Sequence, residues 1–211
     1  MSETPGPEPT PPVTPPATST SEAPDAPRSA RPYERDELRS ATSLVLVNTG
    51  DGKGKSTAAF GTAMRSVARG WPTAVVQYLK SGTWRTGEEK LGRQVGIDWF
   101  AAGDGFTWDS TDLDETQAKA VAGWAFTREL IAAGSHRMIV LDEISYPMVW
   151  GWVDVDEVVT TLAERPGDVS LFLTGRRMPQ AVIDVADTVT EMTKVKHAFE
   201  TGIRARRGID Y

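Results

Sequence analysis

The chain has 211 residues, a formal net charge of −6 and no cysteine. These facts remove disulfide scaffolds, zinc–thiolate sites, cysteine nucleophiles and general nucleic-acid binders, which carry a basic face. Only two histidines are present, His136 and His197, too few for a histidine-rich metal site.

Ten of the 14 prolines lie at or before Pro32, in a stretch rich in Ser, Thr, Ala and Glu and free of aromatic residues. Such a segment buries too little apolar surface to offset its ordering entropy. Met1–Pro32 is therefore expected to be disordered, with residues 1–40 a tail and residues 41–211 one folded domain. The tail lacks the apolar h-region of a secretory signal, and no stretch approaches the ~20 apolar residues of a membrane span. A cytoplasmic protein with neither membrane nor nucleic-acid partners is the resulting expectation.

From Ser43 onward, strands and helices alternate. Ser43–Val47 is a short, almost wholly apolar run, as a parallel strand covered on both faces should be. A helix follows, with Phe60, Ala63, Met64 and Val67 at i, i+3, i+4 and i+7, and Gly70 and Pro72 stop it. Thr73–Leu79 and Gly96–Phe100 read as strands. Thr111–Gly134 reads as a helix capped by Thr111 or Asp112, with Val121, Trp124 and Ala125 on one face. Arg137–Leu141 is a buried strand, Val153–Arg165 a helix and Val169–Leu173 a strand. Pro179–Ala186 is a short helix and Thr188–Val195 a final strand. This alternation predicts an α/β protein of P-loop NTPase-like (RecA-like) class, a mostly parallel sheet with helices on both faces.

The chemistry is concentrated where the first strand meets its helix, at Thr49-Gly-Asp-Gly-Lys-Gly-Lys-Ser-Thr57. Gly50, Gly52 and Gly54 let the backbone curl so that successive N–H groups face anionic oxygens, with the helix N-terminus adding partial positive charge. Asp51 and Lys53 lie in the same loop. Lys55 supplies a point charge for the outer phosphates, and the hydroxyl of Ser56 or Thr57 is a Mg²⁺ ligand candidate. The usual G-x-x-x-x-G-K-[ST] pattern would place glycine where this chain has Thr49.

A second acidic element follows. Met138-Ile-Val-Leu-Asp-Glu143 ends an apolar strand in Asp142 and Glu143, a pair of the kind that meets Mg²⁺ directly or through water in P-loop proteins. Leu171–Arg177 is another apolar strand running into polar residues at the ligand-binding edge. Arg176 or Arg177 can reach a phosphate or carboxylate there, or stand in solvent. Gly103-Asp-Gly-Phe-Thr-Trp-Asp109 carries two large aromatics among glycines and acids. On these residues alone, Phe106 and Trp108 fit ordinary loop anchoring better than a flat apolar ligand or a closing lid. Trp71, Trp84, Trp99, Trp124, Trp150 and Trp152 are expected to pack in the core or at an interface.

Four blocks resemble the P-loop type of ATP:corrinoid adenosyltransferases: Thr49–Gly61, Gly105-Phe-Thr-Trp108, Val140-Leu-Asp-Glu143 and Leu173-Thr-Gly-Arg176. The tail Glu191–Phe199, continuing to Gly202–Asp210, looks like that family's C-terminal signature, and Thr49 belongs to its version of the loop. The resemblance covers about Leu44 to Tyr211. It implies transfer of the 5′-deoxyadenosyl group of ATP to cobalt(I) of a corrinoid, with triphosphate leaving and ATP held along the loop in reversed polarity. ATP would be bound by Thr49–Thr57 and Arg176, Mg²⁺ by Ser56, Asp142 and Glu143. Phe106 and Trp108 would pack beneath the corrin and displace the lower axial ligand of cobalt. A flavoprotein reductase as electron donor and a homodimeric state are implied as well. The family commonly continues past the aromatic pair with Thr-Gln, near Ser110 and Thr111 here. Many relatives also begin with a helical arm, of which Tyr33–Arg39 would be a remnant. Two other classes are set against this enzyme: a non-catalytic ATP or corrinoid sensor, and a small-molecule kinase.

Overall fold

The computed structural model describes residues 38–79, 86–102 and 113–210, and its main unit is Ala41–Tyr211. Phe106, Trp108, Ser110, Thr111, Asp112, Trp84 and the proline-rich segment lie outside the described residues. The expected disorder and the proposed helix cap fall there too.

Six parallel strands form one sheet. They are β1 (Val45–Thr49), β2 (Thr73–Gln77), β3 (Asp98–Ala101), β4 (Met138–Asp142), β5 (Ser170–Thr174) and β6 (Thr188–Glu191). Their spatial order is β3-β2-β4-β5-β1-β6. One strand, β5, therefore lies between β1, which feeds the glycine loop, and β4, which ends in the carboxylates. The all-parallel sheet agrees with the P-loop NTPase-like class expected of the sequence.

The helices are α1 (Lys55–Ala68), α2 (Gly87–Gln94), α3 (Leu113–Ala132), α4 (Ser145–Val149), α5 (Val155–Glu164) and α6 (Gln180–Val185). A 3-10 turn spans Ala198–Thr201. Strand side chains alternate between two cores. Val75, Val140 and Phe172 face Ala59, Phe60 and Ala63 of α1. Ala74, Val76, Ile139, Leu141, Leu171 and Leu173 pack with Trp124 and Ile131 of α3, Val158 and Leu162 of α5, and Val182 of α6. Each buried Val, Leu or Ile side chain among these contributes roughly 1.5–3 kcal/mol relative to exposure. No described helix is long and apolar enough to cross a membrane.

Local chemistry explains the element ends. Gly70 takes φ 73°, and Trp71 N–H donates to Ser66 O at 3.0 Å while Gly70 N–H donates to Val67 O at 2.8 Å. That paired closure ends α1 as a Schellman motif. Asp154 caps α5 by accepting from Asp156 N–H and Glu157 N–H at 2.8 and 3.0 Å.

Three expectations change. On α3, Trp124 is buried, but Val121 is 45 % exposed and Ala125 is also exposed. The stripe that reaches the sheet is Ala120, Trp124, Thr127 and Ile131, and Tyr78 anchors it by a 2.6 Å hydrogen bond to Thr127. Strand β6 stops at Glu191 rather than Val195, because the chain then crosses to the glycine loop. Helix α2 has no counterpart in the sequence reading. Its signal is Thr86-Gly-Glu-Glu89, where Thr86 Oγ1 accepts from Glu89 N–H at 3.2 Å. Of the other tryptophans, Trp99 is buried, and Trp71, Trp150 and Trp152 are half-buried.

Candidate functional site

A cleft of about 350 Å³ opens at the C-terminal edge of the sheet. Its floor is the loop Asp51–Thr57 with Phe60 of α1. One wall is Glu143, Tyr146 and Arg176, from the ends of β4 and β5. Leu79, Thr86 and Glu88 form a second wall, and His197 and Asp210 of the C-terminal segment form a third.

The loop owes its shape to glycines placed against backbone. Gly50 and Gly54 take φ of 88° and 111°, the left-handed region that side chains resist. A Cβ on Gly50 or Gly52 would lie 2.5 or 2.6 Å from Met192 O, so the loop and the C-terminal segment fit only without side chains. Gly52 N–H donates to Met192 O at 2.6 Å. Thr49 explains its own departure from the usual glycine: its Oγ1 accepts from Met178 N–H at 3.2 Å, tying the loop to the turn that presents Arg176.

Lys55 is buried and its Nζ donates to Gly52 O at 2.6 Å. Burial pushes its ammonium below the ordinary lysine range, Glu143 opposes that shift, and Arg176 reinforces it. Lys53 instead reaches out to Asp210, with Nζ 2.7 Å from Oδ1. The Asp210 carboxyl is held below its usual range, first by Arg206 N–H and then by Lys53. Arg176 Nη1 stands 3.8 Å from Asp51 Oδ1.

The two expected acids separate. Asp142 is 0 % exposed; its Oδ2 accepts from Gln77 Nε2 at 3.0 Å and its Oδ1 from Thr174 Oγ1 at 2.9 Å. Glu143 comes forward to line the cleft, at φ 65°, with its N–H donating to Thr174 Oγ1 at 3.0 Å. A non-glycine residue held there stores strain of about 1–3 kcal/mol, and such outliers gather at functional sites. Among the described residues Arg177, at φ 51°, is the other; it is exposed and does not line the cleft, whereas Arg176 does.

Of the expected ATP residues, Asp51, Gly52, Lys53, Gly54, Lys55, Ser56, Thr57 and Arg176 line the cleft, whereas Thr49 and Gly50 shape it from behind. Tyr146, Thr86, Glu88, His197 and Asp210 also line it, beyond the site residues expected from the sequence. Desolvation first, then Glu143, pushes the Tyr146 phenol up. Its ring begins a row of aromatics, 5.4 Å from Trp150, which lies 4.6 Å from Trp152. The cap motif could have flagged Thr86; nothing local in the sequence brings residues 197 and 210 back to residue 53.

Ser56 and Glu143 offer a hydroxyl and a carboxylate on the same cleft, a donor set suited to Mg²⁺. Among the described residues, no three His, Asp or Glu side chains gather into a self-sufficient cage. Magnesium usually relies on one or two carboxylates plus substrate phosphates, so the residues fit it.

The sequence model of the family "ATP:corrinoid adenosyltransferase BtuR/CobO/CobP" matches residues 41–211. Over 168 residues the chain is 40% identical to corrinoid adenosyltransferase CobA of Salmonella typhimurium, covering 80% of this chain and 85% of that protein. It is 42% identical over 172 residues to a corrinoid adenosyltransferase of a Sinorhizobium species, covering 80% of each. For the Pseudomonas aeruginosa corrinoid adenosyltransferase the figures are 37% over 177 residues, 83% of this chain and 87% of that one. With a phosphate-type loop, a carboxylate and an arginine on one cleft and a match spanning the whole folded unit, the chain belongs to the ATP:corrinoid adenosyltransferases.

Proposed function

We propose that this chain transfers the 5′-deoxyadenosyl group of ATP to the cobalt(I) of a corrinoid: cobyrinic acid a,c-diamide, cobinamide or cobalamin. The observation that carries the reading is the convergence of Lys53, Lys55, Arg176 and Glu143 around one glycine loop in a chain of this family. Cobalt(I) brings the electron pair that forms the Co–C5′ bond. The C5′–O bond breaks, and its electron pair leaves with triphosphate.

Lys55, Arg176 and the loop N–H groups stabilise the anion that departs, which is where charge grows in the transition state. Lys53 adds a further cation at the mouth. Ser56 and Glu143 would hold Mg²⁺, with Asp142 behind them fixing the strand end. That ion would supply further charge neutralisation on the phosphates. Phe106 and Trp108 are assigned to the lower face of the corrin, on the strength of the Gly105–Trp108 block. There they would exclude axial donors and so ease reduction of cobalt(II). The flavoprotein donor, the homodimer and the cytoplasmic setting are part of the same proposal and rest on family likeness. A kinase or a sensor has less support, since the family match spans residues 41–211 and Lys55, Ser56 and Glu143 are all present on the cleft.

The test mixes purified protein with Mg·ATP and chemically reduced cob(I)alamin or cob(I)yrinic acid a,c-diamide. A light-sensitive adenosylcorrinoid forming with an equal amount of triphosphate is the expected result. Formation of ADP, or no adenosylcorrinoid from either substrate, would overturn it. Phe106→Ala and Trp108→Ala should lose more activity starting from cobalt(II) than from pre-reduced cobalt(I); equal losses would remove the assigned role.

A further inference from the structure

Each cation of the cleft is held by a partner from the chain itself. Lys55 Nζ donates to Gly52 O at 2.6 Å, Arg176 stands 3.8 Å from Asp51, and Lys53 is 2.7 Å from Asp210. The last contact is shorter than that of Arg176 with Asp51, and its carboxylate comes from the far end of the chain.

Asp210 is presented by a compact turn. Its Oδ2 accepts from Arg206 N–H at 2.7 Å, its own N–H donates to Arg206 O at 2.8 Å, and Gly208 between them takes φ 83°. The segment that carries this turn has little apolar anchorage: Phe199, Ile203 and Ile209 are 75 %, 58 % and 72 % exposed. Its root is pinned by Met192 O on Gly52 N–H, and Lys53 holds its tip. An anionic group on a lightly tethered arm thus stands at the mouth of a site built for anions.

We infer that Asp210 is an internal competitor for the triphosphate. Its carboxylate holds Lys53 while the cleft is open, yields Lys53 when nucleotide phosphates enter, and takes it back as triphosphate departs. Asp210 is in this sense a positioning residue, acting through Lys53 to set how tightly phosphates are held. The exchange swaps one anionic partner of Lys53 for another, so Lys53 is never left as a lone cation. Because Lys53 and Asp210 are both partly exposed, the competition is worth a modest factor. This rests on the proposal that the cleft takes the triphosphate of ATP.

The experiment titrates the full chain with inorganic tripolyphosphate and Mg²⁺ by calorimetry, comparing wild type with Asp210→Asn. Asparagine keeps an oxygen for Arg206 N–H and removes the charge facing Lys53. Tripolyphosphate should bind the variant roughly two- to fivefold more tightly, with steeper weakening by salt, since the site gains a net positive charge. In a Lys53→Met background the same substitution should change nothing. Equal or weaker binding by Asp210→Asn, or a gain that persists without Lys53, overturns the inference and leaves the triphosphate site standing. Absence of tripolyphosphate binding in both proteins removes the site reading, and the inference with it. A damaged fold cannot mimic the expected result, because it does not tighten binding.

Discussion

Lys55 concentrates the site's conflict in one residue. An ammonium buried for the sake of a ligand costs stability when the ligand is absent, and its lowered affinity for a proton is the sign of that cost. In the unfolded chain the group titrates near the ordinary 10.5, above its folded value. The native state therefore binds fewer protons in that window, and stability rises with pH from the lowered folded value up to 10.5. Ligand-free wild type should gain stability relative to Lys55→Met across that alkaline range, as denaturant titrations at several pH values would record. Nucleotide affinity should fall over the same range as the ammonium is lost. At neutral pH, Lys55→Met should lose the thermal shift given by Mg·ATP, which for a ligand at a hundred times its Kd amounts to about 2.7 kcal/mol. Retention of that shift would count against the role given to Lys55. Most of this was legible in sequence, since strand, glycines, lysine, hydroxyl and helix occur in order. The division of labour between Asp142 and Glu143 was not. Adjacent residues on a strand end look equivalent on paper, and only the left-handed turn at Glu143 sends one back and the other forward.

Among the elements, the helices test how far packing dictates composition. Gly61 lies in the middle of α1 with nothing within 4 Å of an added Cβ. Gly61→Ala should therefore stabilise the protein by about 0.5–1 kcal/mol, the backbone entropy that glycine forfeits in a helix. Gly175, after β5, is the opposite case. It takes φ 141°, and a Cβ there would meet Ser145 Oγ at 1.9 Å. Gly175→Ala should cost about 2–4 kcal/mol in chemical unfolding and displace Arg176 with it. A neutral Gly175→Ala would mean that the β5–α4 contact is loose. The strands were readable because parallel strands covered on both faces are continuous apolar runs. Helix α2 was hidden because it is short, highly charged and interrupted by Gly92. That glycine persists because Trp99 lies 2.8 Å from where its Cβ would be. The stripe on α3 is not legible because Val121 is apolar yet exposed, while Tyr78 fixes the helix through Thr127.

At the scale of the molecule, residues 41–211 carry both the family match and the compact unit. A chain starting at residue 33 is accordingly expected to keep the unfolding midpoint and turnover of the full-length protein. A drop of more than a few degrees would show that the proline-rich stretch contributes to folding. The parallel sheet and the alternation of strands with helices were legible in the sequence pattern, whereas the strand order was not. The return of the C-terminal segment to the glycine loop was not either, since it rests on contacts between residues far apart in sequence, Gly52 with Met192 and Lys53 with Asp210.

One polar thread crosses four of the sheet's six strands. Trp99 Nε1 donates to Gln77 Oε1 at 2.8 Å, Gln77 donates on to Asp142, and Thr174 joins Asp142 to the backbone of Glu143. It runs through β3, β2, β4 and β5 in their spatial order, so an indole on an edge strand helps aim a carboxylate in the cleft. The amide at position 77 serves both neighbours, giving to Asp142 and taking from Trp99. An acid at that position would repel Asp142, and an apolar residue would remove the bonds to the Trp99 indole and to Asp142 Oδ2. A lesion at Trp99 or Gln77, neither of which lines the cleft, would thus present in a kinetic assay as if the catalytic centre itself had been struck.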